Sequence, residues 1–352
     1  MIVVNARFLT QKLTGVQRFA IEISLELSKI INNEIIFVTP YNIQQKDYAK
    51  QLNAQVIGSH TGHIWEQIDL PFYLNKKGKP LLINLANVAP IFYQNKISTI
   101  HDIAYLNYPQ TFNKKFLYAY KFLIPKIIKS SKHIITVSEF SKQEICKAYH
   151  VNTKKISVIY NAVNKKFTYI ENKTLKSEKY FLAVSSLNYR KNFSAVLQAF
   201  NQYCQLNKEN KLYIIGDIKN ENFKEIDIKG SINNPRIKFL GRVSDEELTL
   251  YYSNAIGFIY PSIYEGFGIP PLEAQNCNCP ILISNIPSLK EVFQNSALYC
   301  NPYDIKDIVK GIILLSQNSN SNIDKGIINT KRFSWNKSAV HLTEIIQSIN
   351  NK

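Results

Sequence analysis

Two glutamates frame a run of glycines and prolines in the second half of the chain, EGFGIPPLE, from Glu265 to Glu273. Gly266 and Gly268 would let the backbone come close to a ligand, because glycine has no side chain. The two prolines suit the first turn of a helix, whose free N–H groups would face an anion. Carboxylates accept hydrogen bonds from hydroxyl groups such as those of sugars, so the run predicts a ligand site that suits an anion and hydroxyl groups.

The expected positions of the two carboxylates limit their chemistry. Glu265 is predicted in the loop before the helix and Glu273 in the first turn of the helix, at opposite ends of one ligand. A hydrolase would need both carboxyls to flank one bond, about 5 to 10 Å apart, and this arrangement fits that poorly. In a second interpretation, the glutamates only stabilise the helix N-terminus. That interpretation does not explain why two glycines and two prolines occur together in the same segment.

Four further polar segments follow predicted strands, and ligands of open parallel sheets bind at the carboxyl ends of the strands. They are SSLNYRKN at 185–192, HD at 101–102, TGVQR at 14–18 and GRVS at 241–244. The TGVQR segment is not a dinucleotide fingerprint, because the G-x-G-x-x-G spacing and the acidic residue about 20 positions later are missing as a set. A dehydrogenase is therefore disfavoured.

The elements that must position these segments are parallel strands joined by helices. Short β-branched runs alternate with helical patterns along the 352 residues, and the apolar fraction of 45% suits two domains. The predicted strands are 2–4, 35–39, 81–84, 97–100, 133–137, 156–160, 180–185, 212–215, 237–240, 255–260 and 280–284. A terminal amphipathic helix is predicted from the spacing of Trp335, Val340, Leu342, Ile345, Ile346 and Ile349.

Together these segments resemble retaining glycosyltransferase family 4, and the resemblance extends from the TGVQR loop to Trp335. It implies an α/β protein with the GT-B fold, in which two Rossmann-like domains with parallel sheets face a central cleft. A C-terminal helix would return to the first domain. The implied division is 1–165 for an N-terminal acceptor domain, 175–332 for a C-terminal domain that binds the nucleotide-sugar donor, and 333–352 for the helix.

In that family, the segment that EGFGIPPLE resembles holds the sugar donor. The resemblance implies that Glu265, as a catalytic residue, contacts hydroxyls of the donor sugar, and that Glu273 binds the nucleotide ribose. The backbone at Gly266, Phe267 and Gly268 would hold the sugar and the diphosphate.

The basic segment is also implied to act on the donor. Lys191 would be catalytic, because a cation there neutralises the donor diphosphate and stabilises the leaving group. Many relatives carry an arginine where this chain has Ser185, and either Arg190 or the serines could take its place in the donor site. Val243 lies in the loop whose backbone meets the nucleotide base in relatives.

Two segments of the first domain complete the implied site. His101, catalytic by resemblance, would lie near the anomeric centre and stabilise an oxocarbenium-like state, and Asp102 would orient its loop or contact the acceptor. Gly15 would approach the donor diphosphate.

The implied reaction transfers a hexose from a nucleoside diphosphate sugar to an acceptor hydroxyl, with retention of the anomeric configuration. The expected acceptor is a saccharide, lipid-linked in bacterial surface polysaccharide assembly, and mannose is the subgroup-level expectation for the donor sugar. No cofactor or metal is expected, since no Asp-x-Asp pair is present to hold a metal against the diphosphate. A related GT-B phosphorylase or epimerase, and a basic nucleic-acid-binding protein, stay open as alternatives.

The formal charge of +17 is concentrated in one part of the chain. Residues 112–155 hold ten lysines and two glutamates, and Phe116, Tyr120, Leu123 and Ile127 follow helical spacing there. This pattern predicts attachment to an anionic membrane surface, and an ordinary core-facing helix with a basic face fits it equally well.

The same composition bears on location and on other partners. No aromatic nucleic-acid reader motif accompanies the lysines, so nucleic acid is not an expected partner. The chain begins without a basic leader, has no apolar run long enough to span a membrane, and lacks paired cysteine spacing. We therefore expect a cytoplasmic protein, peripheral on the inner face of the cytoplasmic membrane if it attaches there.

Overall fold

The computed structural model describes residues 1–31, 34–184, 189–216, 234–317 and 319–350. The chain divides into two compact units. The first contains residues 1–161 and the segment from Ser334 onward, and the second contains residues 162–333. Each unit has its own hydrophobic core.

A parallel sheet forms the centre of the first unit. Its strands in the described residues are β1 Ile2–Asn5, β2 Ile35–Thr39, β3 Gln55–Val56, β4 Leu81–Asn84, β5 Lys96–Thr99, β6 His133–Thr136 and β7 Ile156–Val158. They lie in the order β3-β2-β1-β4-β5-β6-β7. The connecting helices are α1 Gly15–Ile31, α2 Lys46–Gln51, α3 Gly62–Ile64, α4 Leu70–Lys76, α5 Ala104–Asn107, α6 Lys114–Ser130 and α7 Glu139–Tyr149, with a π-helical turn at Trp65–Asp69 that joins α3 to α4.

The second unit is built around another parallel sheet. Its described strands are β8 Tyr180–Val184, β9 Lys211–Ile215, β10 Ile237–Gly241, β11 Gly257–Tyr260, β12 Ile281–Ser284 and β13 Leu298–Cys300. Their order is β10-β9-β8-β11-β12-β13. The described helices are α8 Lys173–Ser177, α9 Phe193–Leu206, α10 Asp245–Asn254, α11 Ile269–Asn276, α12 Pro287–Phe293, α13 Ile305–Gln317 and α14 Ser319–Thr330.

The strand order identifies a preferred binding place in each sheet. In the first sheet β1 lies between β2 and β4, and in the second β8 lies between β9 and β11. At these points the loops that leave neighbouring strands run to opposite sides, which opens a crevice at the carboxyl ends. The loops after β1 and β4, and those after β8 and β11, therefore flank the switch point of their own sheet.

The predicted strands are present, with ends that shift by one or two residues. They could be recognised because the strands of such sheets are buried on both faces and are largely apolar, as Ile2, Val3 and Val4 of β1 are. The sequence analysis missed β3 and β13, which are two and three residues long at sheet edges. Strands this short carry no periodic pattern.

The C-terminal helix, α15 Trp335–Asn350, packs against α1 in the first unit. The ring of Trp335 meets the ring of Phe19 edge-on at 6.1 Å, and the hydroxyl of Ser338 donates to the Tyr160 carbonyl at 2.7 Å. Val340 was predicted on the apolar face and is instead 41% exposed. The buried face is completed by Ala339, Leu342, Ile345 and Ile346.

The structure corrects the interpretation of α6. Phe116, Tyr120 and Leu123 pack against the core of the first unit, and Ile127 is fully buried, so this stripe is not available to a membrane. The wider apolar face of α6 packs against the core of the first unit. The exposed aromatic rings are instead those of Tyr118 and Phe122.

Candidate active site

The glutamate segment forms the loop between β11 and α11. Gly268 precedes the helix with φ of +99°, and a Cβ at this position would lie 2.6 Å from Cδ2 of Leu289. Both the backbone and its neighbour therefore require glycine here. Proline occupies an early helical position, where it removes no intrahelical hydrogen bond. Among the first four residues of α11, Ile269 and Leu272 have N–H groups, which lack intrahelical acceptors, whereas Pro270 and Pro271 have none.

Lys191 joins this loop to the one that follows β8. It ends a 3₁₀ turn at Tyr189–Lys191, and its Nζ donates to Oε1 of Glu265 at 2.7 Å and to the Tyr260 hydroxyl at 2.6 Å. The Tyr260 hydroxyl donates to the same Oε1 at 2.7 Å. Three side chains therefore meet at the switch point of the second sheet, where the topology favours a ligand.

Burial and charge together set the protonation of this group. Burial lowers the pKa of Lys191, but the Glu265 carboxylate, together with the hydrogen bonds, outweighs it and the net shift is upward. Burial raises the pKa of Glu265, and the Lys191 charge with its hydrogen bond reverses this, so the net shift is downward. Burial and the charge of Glu265 raise the pKa of Tyr260. At neutral pH the site therefore holds a cation, an anion and a neutral phenol.

The ammonium group keeps one donor for a ligand. An ammonium has three N–H bonds, of which Glu265 and Tyr260 accept two. Across the part of the chain that is described, the third has no hydrogen-bond partner. Lys191 is thus fixed in position while it can still donate to an incoming anion.

Backbone contacts hold the two loops together. The side-chain amide of Asn192 donates to the carbonyls of Pro261 at 3.1 Å and Pro302 at 2.6 Å. The N–H of Ile263 donates to the carbonyl of Arg190 at 2.7 Å. These bonds fix the position of the loop that carries Lys191 relative to the loop that carries Glu265. The backbone therefore holds the two charged side chains close together.

Sequence analysis missed Tyr260 and assigned no role to Asn192. The signal for Tyr260 was its place as the last residue of β11, at the carboxyl end of a strand that leads into the glutamate loop. Asn192 has φ of 55°, a left-handed conformation that asparagine tolerates better than most residues. Its partners, Pro261 and Pro302, are too distant in the chain for any spacing rule to find.

The prediction for Glu273 was wrong in one respect. The helix begins at Ile269, so Glu273 is its fifth residue and lies in the second turn, and the first turn holds no acidic residue. The left-handed Gly268 ends the loop earlier than the prolines suggested. Glu273 is 5% exposed. Its assignment to the nucleotide ribose stays a prediction.

The other expected donor-site residues have different surroundings. Ser185 lies outside the described residues. Gly266 is buried, and the buried ring of Phe267 packs edge-on against Phe333 at 5.4 Å, which leaves only its backbone for a ligand. Val243 is half-buried in the loop between β10 and α10. Their contacts with a donor stay predictions.

His101 follows β5 in the first unit and is 7% exposed. Its Nε2 lies 3.2 Å from the carbonyl oxygen of Leu85, and its ring meets Phe19 edge-on at 4.9 Å. Burial lowers the pKa of His101 despite this carbonyl and the charge of Asp102. The ring is therefore neutral at pH 7, and because a carbonyl only accepts, the proton is on Nε2. Nδ1 then carries the lone pair.

The structure also relates the TGVQR segment to His101. Gly15 is exposed and begins α1, and Phe19, one turn later, is the ring that packs on His101. Asp102 accepts a hydrogen bond from the Ala104 N–H at 2.9 Å, which fits the expected role in orienting its loop. These two segments of the first unit are therefore neighbours.

The described residues contain neither a group of metal ligands nor a membrane-spanning helix. In residues 1–31, 34–184, 189–216, 234–317 and 319–350, no three His, Cys, Asp or Glu side chains are grouped as metal ligands would be. Within the same residues, no helix has both the length and the apolar character needed to span a bilayer.

Comparison with known proteins identifies the family. Residues 165–340 match the model for glycosyl transferases group 1, and residues 14–167 match the model for glycosyltransferase family 4. The O-antigen chain mannosyltransferase RfbU of Salmonella typhimurium is 32% identical over 325 residues, 87% of this chain and 88% of that protein. The chain belongs to the family 4 glycosyltransferases.

Other proteins support the membership and the fold of this glycosyltransferase. O-antigen chain mannosyltransferase B of Escherichia coli is 28% identical over 70% of each chain. The structure of HepE from Anabaena in complex with UDP and glucose superposes with a TM-score of 0.75 at 15% identity, covering 99% of this chain and 100% of that one. WaaG, a glycosyltransferase involved in lipopolysaccharide biosynthesis, gives a TM-score of 0.72 at 12% identity, over 98% and 99% of the two chains. The predicted α/β class, with two Rossmann-like parallel sheets of the GT-B type, is confirmed.

Proposed function

We propose that this glycosyltransferase moves mannose from a nucleoside diphosphate sugar to a saccharide hydroxyl, with retention, in the assembly of a bacterial surface polysaccharide. The observation that carries the proposal is the half-buried Lys191, held by Glu265 and Tyr260 beside the N-terminus of α11. The choice of mannose as the transferred sugar rests on two relatives that are named O-antigen chain mannosyltransferases. The acceptor is a saccharide carried on a lipid.

The arrangement suits the departure of a diphosphate. When the bond between the anomeric carbon and the phosphate oxygen breaks, negative charge develops on that oxygen, and the free N–H of Lys191 can donate to it. Helix N-terminal amides add a positive potential. Preorganised donors of this kind stabilise a developing charge without further reorganisation. The acceptor oxygen then bonds to the anomeric carbon, and its proton leaves with the diphosphate.

Glu265 has two tasks in this mechanism. It holds the ammonium of Lys191 in place, and as an anion it accepts hydrogen bonds from donor-sugar hydroxyls and favours a positive oxocarbenium-like centre. Neutral His101, with its lone pair on Nδ1, would accept from a hydroxyl group and orient the reactants. No side chain is assigned as a covalent nucleophile, and the reaction is expected to proceed without a metal.

Ligand binding and product analysis test the proposal. Thermal shift with UDP, GDP, dTDP and ADP sugars should single out one donor, because a ligand that binds the folded state raises the melting temperature. Product analysis with that donor should then give an α-linked product from an α-linked donor, only when a saccharide acceptor is present. A free epimer, or a sugar phosphate formed with inorganic phosphate, would favour the related GT-B alternatives. No shift with any nucleotide sugar would contradict the proposal.

A cytoplasmic protein attached to the inner membrane face through residues 112–155 is the second part of the proposal. Tyr118 and Phe122 on α6 are 71% and 57% exposed, and Nζ of Lys126 lies 3.4 Å from the centre of the Phe122 ring. Exposed aromatic rings beside lysines suit an anionic lipid interface.

Vesicle sedimentation tests this attachment. The protein should sediment with phosphatidylglycerol-containing vesicles at low salt, and Tyr118→Ser with Phe122→Ser should weaken the binding. Tyr303, 68% exposed in the second unit, provides a matched control, because Tyr303→Ser should leave binding unchanged. Equal binding to neutral vesicles, or no effect of the double substitution, would contradict the assignment.

A further inference from the structure

A second group of polar side chains meets at the carboxyl ends of β1 and β4, the switch point of the first sheet. Asn5 ends β1 and Asn84 ends β4. The amide of Asn5 donates to Oε1 of Glu66 and to Oδ1 of Asn84, both at 2.6 Å. Arg7, two residues beyond β1, lies with Nε 3.2 Å from Oε2 of Glu66. The sequence analysis singled out none of these residues.

Arg7 has donors that the protein does not use. Its side chain is 8% exposed and that of Glu66 is fully buried. Nε forms an ion pair with Glu66 but lacks the alignment of a hydrogen bond. Nη1 and Nη2 donate to none of the described residues, and neither is sealed from solvent. A nine-tenths buried guanidinium with two open donors is arranged for two oxygen atoms from outside the protein.

The group adjoins the expected acceptor side of the reaction. Oδ1 of Asn87 accepts the backbone N–H of His101 at 2.9 Å, and the Asn87 side chain also acts on the pKa of the Tyr120 hydroxyl, which it lowers. Burial raises the pKa of Tyr120 to about 12, and the charges of Arg7 and Glu66 act on the same hydroxyl. Arg7 and His101 therefore belong to one continuous polar edge of the first sheet.

We propose that Arg7 forms a subsite for the acceptor saccharide, with Nη1 and Nη2 donating to two neighbouring oxygens of an uncharged sugar ring. This inference rests on the proposed glycosyl transfer. The presence of Glu66 indicates which ligand charge the subsite prefers. Because Glu66 already compensates Arg7, a carboxylate or phosphate would meet a pair with no net charge and would be repelled by the carboxylate. Hydroxyl groups accept from the guanidinium without that cost.

Acceptor kinetics with Arg7→Lys test the subsite. Lysine keeps the positive charge opposite Glu66 but loses the planar fork. With octyl α-D-mannoside as acceptor and the nucleotide sugar found by thermal shift, KM for the acceptor should rise about 10- to 100-fold, with kcat changed much less. Thermal shift by the nucleotide sugar should stay as in the parent protein. An unchanged acceptor KM would overturn the inference.

Arg236 provides a matched control in the second unit. Its Nη1 and Nη2 donate to the backbone carbonyls of Asn207 and Cys204, so its fork is already occupied by the protein. Arg236→Lys should therefore leave the acceptor KM unchanged. If Arg7→Lys does not fold, the double substitution Arg7→Gln with Glu66→Gln removes both charges together and should show the same rise in acceptor KM.

A charge swap separates a ligand subsite from a structural ion pair. Glu66→Gln leaves the positive charge of Arg7 uncompensated, so inhibition by octyl β-D-glucuronide should strengthen relative to octyl β-D-glucoside. Nδ1 of His63 lies 3.2 Å from the same Oε2, so the parent and the variant are compared at one fixed pH. An unchanged preference would overturn the inference. Failure of the parent protein to bind any nucleotide sugar would instead contradict the proposed function, which makes the two failures distinguishable.

Discussion

Nζ of Lys191 and Oε1 of Glu265 lie 2.7 Å apart, although the two residues are separated by 74 positions in the chain. The Tyr260 hydroxyl contacts both atoms. This pair links the loops after two adjacent strands, and it fixes a cation where the sheet topology favours a ligand. The cation, its counter-charge and the nearby helix N-terminus form one electrostatic unit, and its parts can be changed separately.

Removal of the Lys191 ammonium should slow sugar transfer strongly. We expect Lys191→Met to lower kcat about 100- to 1,000-fold, the usual effect of losing one preorganised donor to a developing negative charge. Lys191→Arg should retain part of the rate, because its charge remains while its geometry changes. Initial rates at saturating donor and acceptor give the comparison. A kcat within about threefold of the parent would contradict the assignment.

The same substitution should change stability in a pH-dependent way. The Glu265 side chain is only 12% exposed, and Lys191→Met removes its counter-charge. The free energy of unfolding should therefore fall by about 3 kcal/mol at pH 7. The ion pair lowers the pKa of Glu265 below 4.5, so its stabilisation is full above that pH and is lost as the pH falls through the folded-state pKa. Urea unfolding followed by circular dichroism should show the difference shrinking below pH 4.5. A constant difference would argue against the pair.

Gly268→Ala should be more destabilising than an ordinary substitution at a left-handed glycine. At Gly268, φ is +99° and a Cβ would lie 2.6 Å from the Leu289 side chain, whereas Gly241 has φ of +71° with open space around its Cβ position. We expect about 1 to 2 kcal/mol for Gly241→Ala from backbone strain alone. Gly268→Ala should add about 1 to 3 kcal/mol of overpacking. Equal losses in thermal unfolding would contradict the steric explanation.

Lys96 should make the first unit more stable as the pH rises above neutrality. It is fully buried, its Nζ donates to the Ser130 hydroxyl at 2.6 Å, and burial with the Lys155 charge lowers its pKa to about 7. In the unfolded chain the ordinary value is 10.5, so between these values the unfolded state binds more protons and stability rises with pH. Relative to Lys96→Met, the parent should gain about 2 kcal/mol between pH 7 and 9.

Tryptophan fluorescence can follow this change in the first unit. The chain has two tryptophans, Trp65 and Trp335, and both lie in that unit. Lys50, which is exposed, provides the control, since Lys50→Met removes a lysine without altering a buried site. A Lys96→Met difference that stays flat or falls across this range would show that Lys96 is charged in the folded protein.

Local patterns were sufficient for much of the fold. The buried strands could be recognised because each is a short run rich in apolar and β-branched residues, and β1 and β12 are apolar in every position but the last. The glycines and prolines predicted the helix after the Glu265 loop. Its first turn was placed wrongly, because the sequence does not show that Gly268 adopts a left-handed conformation directly before the helix. On α6, lysine spacing was visible, but the face that the sheet would cover was not.

Residue types and short spacings by themselves determined the parallel α/β class, the loops that carry polar chemistry, and the lysine and glutamate of the candidate site. Only the tertiary structure decided that Tyr260 completes the pair, that Asn192 ties the loops together, and that Arg7 keeps two open donors above Glu66. The physical reason is the distance along the chain over which each interaction acts. Strand and helix preferences depend on neighbours within a few positions, whereas these contacts join residues that meet only after the sheets have formed.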